Sequence, residues 1–305
     1  NGNVTGHTVD TSLEELAANM DAYSNYDSFL GINIVDEPKG ADDWGTHSEY
    51  ADTFYKRYNY YSQLAQALKP YANITGYINM HGSQSVDDGK FYDYASKIGA
   101  DVDVLSFDTY LYFEDNEYPL LKINRLLSYL ESLDTIRQIS IEQDKPFWSF
   151  VQAGSDYRDD GSDAATAGYY TEADTLWIVN TSLAFGAKGI QYFPLLQPAY
   201  FSYDSTSATG HDYDRNGIIG ANNEANRNYA MVQKANKQIA AIDHVLMNAQ
   251  STGVIVTGDA KNDINTAASV LGRNHTFTGI LNRNSTYSSM LNNVSGGDAM
   301  VGCFN

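Results

Sequence analysis

A chain of 305 residues, 43% hydrophobic and 19% charged, has ordinary globular composition and the length of one large α/β domain or two smaller ones. Its formal net charge of -19, with no visible Lys/Arg cluster, argues against nucleic-acid phosphates as a partner. The single cysteine, Cys303, excludes an intrachain disulfide framework, and no run of 18 apolar residues marks a membrane span.

Residues 12–28 carry Leu13, Leu16, Ala17 and Met20 on one helical face, with Glu14 and Glu15 in the first turn, and predict a helix. The next segment, Gly31-Ile32-Asn33-Ile34-Val35-Asp36-Glu37-Pro38, is a β-branched run that ends in two adjacent acids and a proline. Pro38 cannot donate to a sheet ladder, so the pattern predicts a core strand over 31–36 that delivers carboxylates to its rim. A helix is expected over 48–68, ending at Lys69-Pro70, then a strand over 74–79 and a helix near 89–98 that stops at Gly99. A strand over 102–107, a helix over 119–143, a strand over 146–152, a helix over 171–185, a strand over 189–193 and a helix over 222–247 follow.

Strands alternating with helices of this length predict βα units and a parallel sheet. The helix-to-strand links are short, whereas the loops 38–47, 80–88, 108–118, 152–170 and 194–221 are long, and all of them leave the carboxyl ends of strands. Ligands of parallel α/β folds bind at that end. No glycine-rich phosphate loop follows any strand, which favours a (β/α)8 barrel over a nucleotide-binding doubly wound sheet. Five βα strands are countable where a barrel needs eight. After residue 250 short segments at 253–256, 276–281 and 300–304 alternate with turn residues. The expectation is a TIM-barrel fragment over 1–250, then the start of a β-rich domain over 251–305, truncated, with the missing strands on another part of the same gene product.

Side-chain alternation brings one polar group to the carboxyl end of each strand: Asp36 or Glu37, Asn79, Asp108, Gln152 and Gln191. Tyr77 shares the face of Asn79, Ser106 that of Asp108, and Trp148 and Phe150 that of Gln152. A polar cup with aromatic walls (Trp148, Tyr110, Tyr112, Phe193 and Tyr200) is what a sugar site needs. Glycoside hydrolysis commonly uses two carboxyl groups, one to protonate the leaving oxygen and one to activate water or attack the anomeric carbon. Adjacent carboxyls resist joint ionisation, which suits Glu37 to the acid role. The bland alternative is that Asp36 and Glu37 only cap the strand. Strict alternation sends these two residues to opposite faces, so both reach one site only if the strand end twists.

Strand-Asp-Glu-Pro followed by a helix resembles the fourth strand of the clan-A (β/α)8 glycoside hydrolases, including family 42, in which Asn-Glu ends that strand. The resemblance continues through Tyr77-Ile78-Asn79, Leu105 to Tyr110, Phe147 to Gln152 and Leu183 to Phe193. It implies that the five strands are roughly strands 4–8 and that Glu37 is the acid/base. It also implies a nucleophilic Glu at the end of the seventh strand, where this chain has Gln152. Asp108 is then one candidate for the second carboxylate. The adjacent acids also resemble the N-acetylhexosaminidases of families 20 and 123. In those an Asp orients the acetamido group of the substrate, which is itself the nucleophile. That resemblance gives Asp36 the orienting role and offers Tyr110 or Tyr192 as partner of the acetamido oxygen. Substrate contacts are expected from Asn79, Tyr110, Trp148, Gln152, Gln191 and Tyr192. The competing readings are a carbohydrate-binding barrel without activity and a TIM-barrel enzyme of another class.

No cofactor and no metal are expected. The six histidines show no metal-ligand spacing, and Asp212-Tyr213-Asp214-Arg215-Asn216-Gly217 opens like a calcium loop whose twelfth position is Asn223. No Gly-x-Ser-x-Gly elbow occurs. The partner is a carbohydrate substrate, with neither nucleic acid nor membrane. The acidic, Lys-poor, Tyr- and Asn-rich composition suits an extracellular or cell-surface bacterial protein.

Overall fold

The computed structural model describes residues 3–4, 7–8, 13–27, 29–36, 63, 66–68, 75–82, 90–111, 119–153, 171–196, 217–220, 223–257 and 299–305. They fall into two compact units: Asn1–Asp108 with Gln138–Trp148, and Thr109–Arg137 with Ser149–Asn305.

The first unit opens with an unexpected antiparallel pair of two-residue strands, β1 (Asn3–Val4) and β2 (His7–Thr8). Helix α1 (Leu13–Tyr23) is shorter than its apolar pattern suggests. Ser24 Oγ and Asn25 Nδ2 both donate to the Asp21 carbonyl, and such local side-chain bonds end helices. Strand β3 (Gly31–Asp36) pairs in parallel with β4 (Thr75–His81), which pairs in parallel with β5 (Val104–Asp108). At the start of β3 the chains run so close that a Cβ on Gly31 would collide with the Thr75 carbonyl oxygen. Of the helix expected over 48–68, residues 63 and 66–68 are described and helical, with Leu68 buried.

Helix α2 (Lys90–Asp101) runs through Gly99 rather than stopping there. Gly99 serves close packing: a Cβ would strike the Leu105 and Gln143 side chains. The helix end is satisfied instead by Lys145, whose Nζ donates to the Gly99 and Ala100 carbonyls. β5 is buried along its whole length, with Leu105 and Phe107 fully enclosed. Helix α3 (Pro119–Glu142) and strand β6 (Phe147–Gln152) each cross the division between the units.

In the second unit, helix α4 (Glu172–Phe185) begins with a capping box. Thr171 accepts from the Asp174 amide, and the Asp174 carboxylate accepts from the Thr171 amide. It ends at Gly186 with φ 104°, the left-handed cap that glycine adopts without strain. Strand β7 (Gly189–Phe193) follows, then helix α5 (Arg227–Leu246), which starts later than its sequence pattern. Residues 223–226 instead turn back onto 218–220, with Gly220 N–H donating to the Glu224 carbonyl and Asn226 N–H to that of Ile218. β8 (Ser251–Thr257) and β9 (Ala299–Phe304) form an antiparallel pair against α4; the strand expected over 276–281 lies outside the described residues. α4 also packs on α5, which explains its burial on several sides. Its Ser182 joins the fully buried Tyr129 hydroxyl at 3.0 Å and donates to Ser149 of β6 at 3.2 Å. Burial pushes the Tyr129 phenol well above its ordinary range.

Strands β3 to β7 are neighbours in chain order within one five-stranded sheet. A doubly wound sheet reverses direction at a switch point, whereas a (β/α)8 barrel adds each strand beside the last. The observed order, with helices between the strands, is that of part of such a barrel.

Candidate active site

The first unit carries the acids. β3 and β4 pair Ile32 with Gly76 and Asn33 with Tyr77, then Val35 with Ile78 and Asp36 with Asn79. Ile34 is an extra residue without a counterpart, and its side chain lies toward Gly76 on the face where Leu68 packs. This bulge changes the phase of the strand. Plain alternation from Asn33 would put Val35 and Glu37 on the face of Tyr77; with the bulge, Asn33 and Asp36 share it. The strand ends at Asp36. Glu37 itself lies outside the described residues.

Asp36, Asn79 and Ser106 therefore stand in one row across three strands. Ser106 Oγ donates to Asn79 Oδ1 at 3.2 Å, and Asn79 Nδ2 donates to Asp36 Oδ1 at 2.9 Å. Ser106 and Asn79 are buried, whereas Asp36 is exposed. On the same face lie Tyr77, two residues before Asn79, and Asp108, two residues after Ser106 and 3% exposed. The Tyr77 phenol is raised by burial and then by the nearby Asp36 carboxylate. Its ring meets Trp148 edge-on, 5.2 Å between centroids at 61°. His81 is the register partner of Asp108 at the rim, and it is exposed.

The second unit holds the remaining expected contacts. Ser149 faces α4 through Ser182, so alternation puts Phe150 and the buried Gln152 on the opposite face of β6. Tyr192 faces α5: its hydroxyl donates to Asn236 Oδ1 at 2.7 Å, and its ring packs on Ala153, Ile218 and Val232. That gives Tyr192 a packing position, away from the face expected to carry substrate. Gln191 and Phe193 take the other face, where the Phe193 ring stacks on Tyr110 at 5.9 Å and 24°. The buried Asn228 donates to the Ala153 carbonyl, tying α5 to the end of β6. Tyr112, Tyr200, His211 and the loop at 212–217 lie outside the described residues.

Sequence reading singled out neither Tyr77 nor Ser106 as a site residue. Their signal was present in the parity that each shares with a named neighbour, Asn79 and Asp108.

Burial pushes the Tyr192 phenol up to about 12. A phenol ionises near 10 in an unfolded chain. Folding therefore retains this proton between those values, and the associated stability is complete below pH ~10 and lost as pH rises toward 12. Tyr77 and Tyr129 shift in the same direction. Urea midpoints measured from pH 9 to 12 are expected to fall less steeply in Tyr192→Phe than in the parent chain; parallel curves would contradict the assignment.

No protein-family model matches the chain, and no curated protein matches it. Among solved structures it is similar to a polyextremophilic β-galactosidase from the Antarctic haloarchaeon Halorubrum lacusprofundi, with 16% identity and a TM-score of 0.41. That match covers 63% of this chain and 26% of the other. It is also similar to a β-galactosidase from the psychrophilic Marinomonas ef1, with 17% identity, a TM-score of 0.42, and 78% and 36% of the two chains covered. The chain thus spans well under half the length of either enzyme.

Proposed function

We propose that this chain is the later part of a (β/α)8 glycoside hydrolase that binds its sugar at the carboxyl ends of the strands. The supporting observation is the row Asp36–Asn79–Ser106 beside the Tyr77–Trp148 pair. A sugar has hydroxyls around its edge and C–H groups on its faces; fixed polar groups next to aromatic rings complement both. In this reading Glu37 gives its proton to the leaving glycosidic oxygen. The second carboxylate comes from β3 or β5, because the amide of Gln152 cannot serve as a nucleophile. Asp108 is buried and Asp36 exposed, which favours Asp36 for direct contact with substrate.

That difference also favours a substrate-assisted variant. Asp36 accepts the N–H of a 2-acetamido group and turns its carbonyl oxygen toward the anomeric carbon. The oxygen attacks as the glycosidic bond breaks, and the proton of Glu37 passes to the departing oxygen. Water then opens the cyclic intermediate, returning a proton to Glu37. Of the two phenols that the resemblance offers for the acetamido oxygen, Tyr192 bonds Asn236 and Tyr110 stacks on Phe193.

A panel of aryl glycosides with and without the 2-acetamido group tests both readings. Turnover of any member supports hydrolysis. Restriction to acetamido sugars, with inhibition by a thiazoline mimic of the cyclised intermediate, supports substrate assistance. Turnover of plain glycosides without thiazoline inhibition sinks that variant. Glycan binding without turnover points to a carbohydrate-binding barrel.

A further inference from the structure

We infer that Asn79 is a positioning residue: it holds one oxygen of Asp36 against the sheet and thereby aims the other at a hydrogen-bond donor of the substrate. This rests on the glycoside reading above. Asn79 is 1% exposed, and a buried amide must satisfy both its oxygen and its nitrogen. Ser106 serves the oxygen and Asp36 accepts from the nitrogen. Rotating the amide by half a turn would set its oxygen against a carboxylate oxygen at hydrogen-bond distance, two acceptors facing each other. The charge of Asp36 thus dictates the orientation, and Ser106 locks it.

The row is fixed from below as well, because its three members are register partners on adjacent parallel strands. Burial falls along it from Ser106 and Asn79 to the exposed Asp36. An exposed carboxylate still has water as a partner, so holding it adds little to folding. Holding it does fix where its second oxygen points. A carboxylate only accepts, so the group it meets is a hydroxyl or an amide N–H rather than a sugar carbonyl or carboxylate. The titratable groups sharing the face are Tyr77, Asp108 and His81.

Three variants separate positioning from a plain cross-strand tie. Asn79→Asp keeps the shape but sets two carboxylates side by side, and they must share a proton. The acid limb of the pH–rate profile is expected to move up by more than ~1 unit. The exchange Asp36→Asn/Asn79→Asp restores a donor–acceptor pair while moving the charge one strand inward. It is expected to recover the thermal midpoint but leave kcat ~10²-fold down, the scale of a misplaced reacting group. Ser106→Ala, the mildest change, is expected to lower kcat with KM little altered. A tie alone predicts recovery of turnover by the exchange, an unmoved pH profile and an unchanged kcat in folded Ser106→Ala; any of these overturns the inference and leaves the glycosidase reading standing. If the parent chain binds glycans without turnover, hydrolysis is rejected and calorimetric affinity replaces kcat as the readout of the same variants. These assays use the full protein that contains this chain, and its failure to bind or hydrolyse any glycan overturns both.

Discussion

Glu37→Gln is expected to slow hydrolysis of alkyl glycosides by ~10²–10⁴-fold while sugar affinity stays near that of the parent. Gln has nearly the same shape and can still hydrogen-bond the glycosidic oxygen, but it has no acidic proton to release. The decisive comparison is across leaving groups. A dinitrophenolate departs without protonation, so dinitrophenyl glycosides should lose far less from this change than methyl glycosides do. Equal losses on both would remove Glu37 from the acid role. Asp36→Asn supplies the contrast: if Asp36 orients or attacks, its loss should reach activated and unactivated substrates alike. A carbohydrate-binding barrel without chemistry would show unchanged binding in Glu37→Gln and no rate to lose.

Phe107→Ala should be the most damaging of the core changes near the site, at ~3–5 kcal/mol. Phe107 has no exposed surface, and β5 is enclosed on both faces, so the cavity has little means of collapsing. Phe107 also stands between Ser106 and Asp108 in the chain, and its side chain holds β5 from the face opposite theirs. Loosening it should blur the row that aligns Asp36. Urea denaturation measures the first effect and turnover well below the unfolding transition the second. Phe107→Leu, which keeps most of the volume, should recover much of both. A loss under ~1 kcal/mol in Phe107→Ala would mean that β5 repacks freely, contrary to its burial.

The order of strands and helices was legible because buried parallel strands are short β-branched or aromatic runs and the helices between them are long. β3 and β7 have the expected limits, since Asp36-Glu37-Pro38 ends one and Gly186-Ala187-Lys188 leads into the other. Gly99 misled because glycine marks both helix ends and close approaches, and only tertiary packing distinguishes them. The β1–β2 pair left no periodic trace, being two residues on each side. At the site, parity grouped Tyr77 with Asn79 and Ser106 with Asp108, because those strands are regular. It could not decide between Asp36 and Glu37: the unpaired Ile34 looks like any other apolar strand residue until its neighbour's register is known. Tyr192 came in through the resemblance to the N-acetylhexosaminidases alone; its parity is opposite to that of Gln191, and its hydroxyl bonds Asn236.

The extra residue at Ile34 gives the doubled acid a meaning of its own. A strand that slips by one position normally exchanges its two faces and would carry a lone catalytic acid out of its site. Two acids in succession are insensitive to that error. In the regular phase the second would share the face of Asn33 and Tyr77; in the observed phase the first does. Removing Ile34 would leave Asp36 opposite Asn79, because the bulge absorbs one residue; a strand of the same length without the bulge would bring the second acid to that face instead.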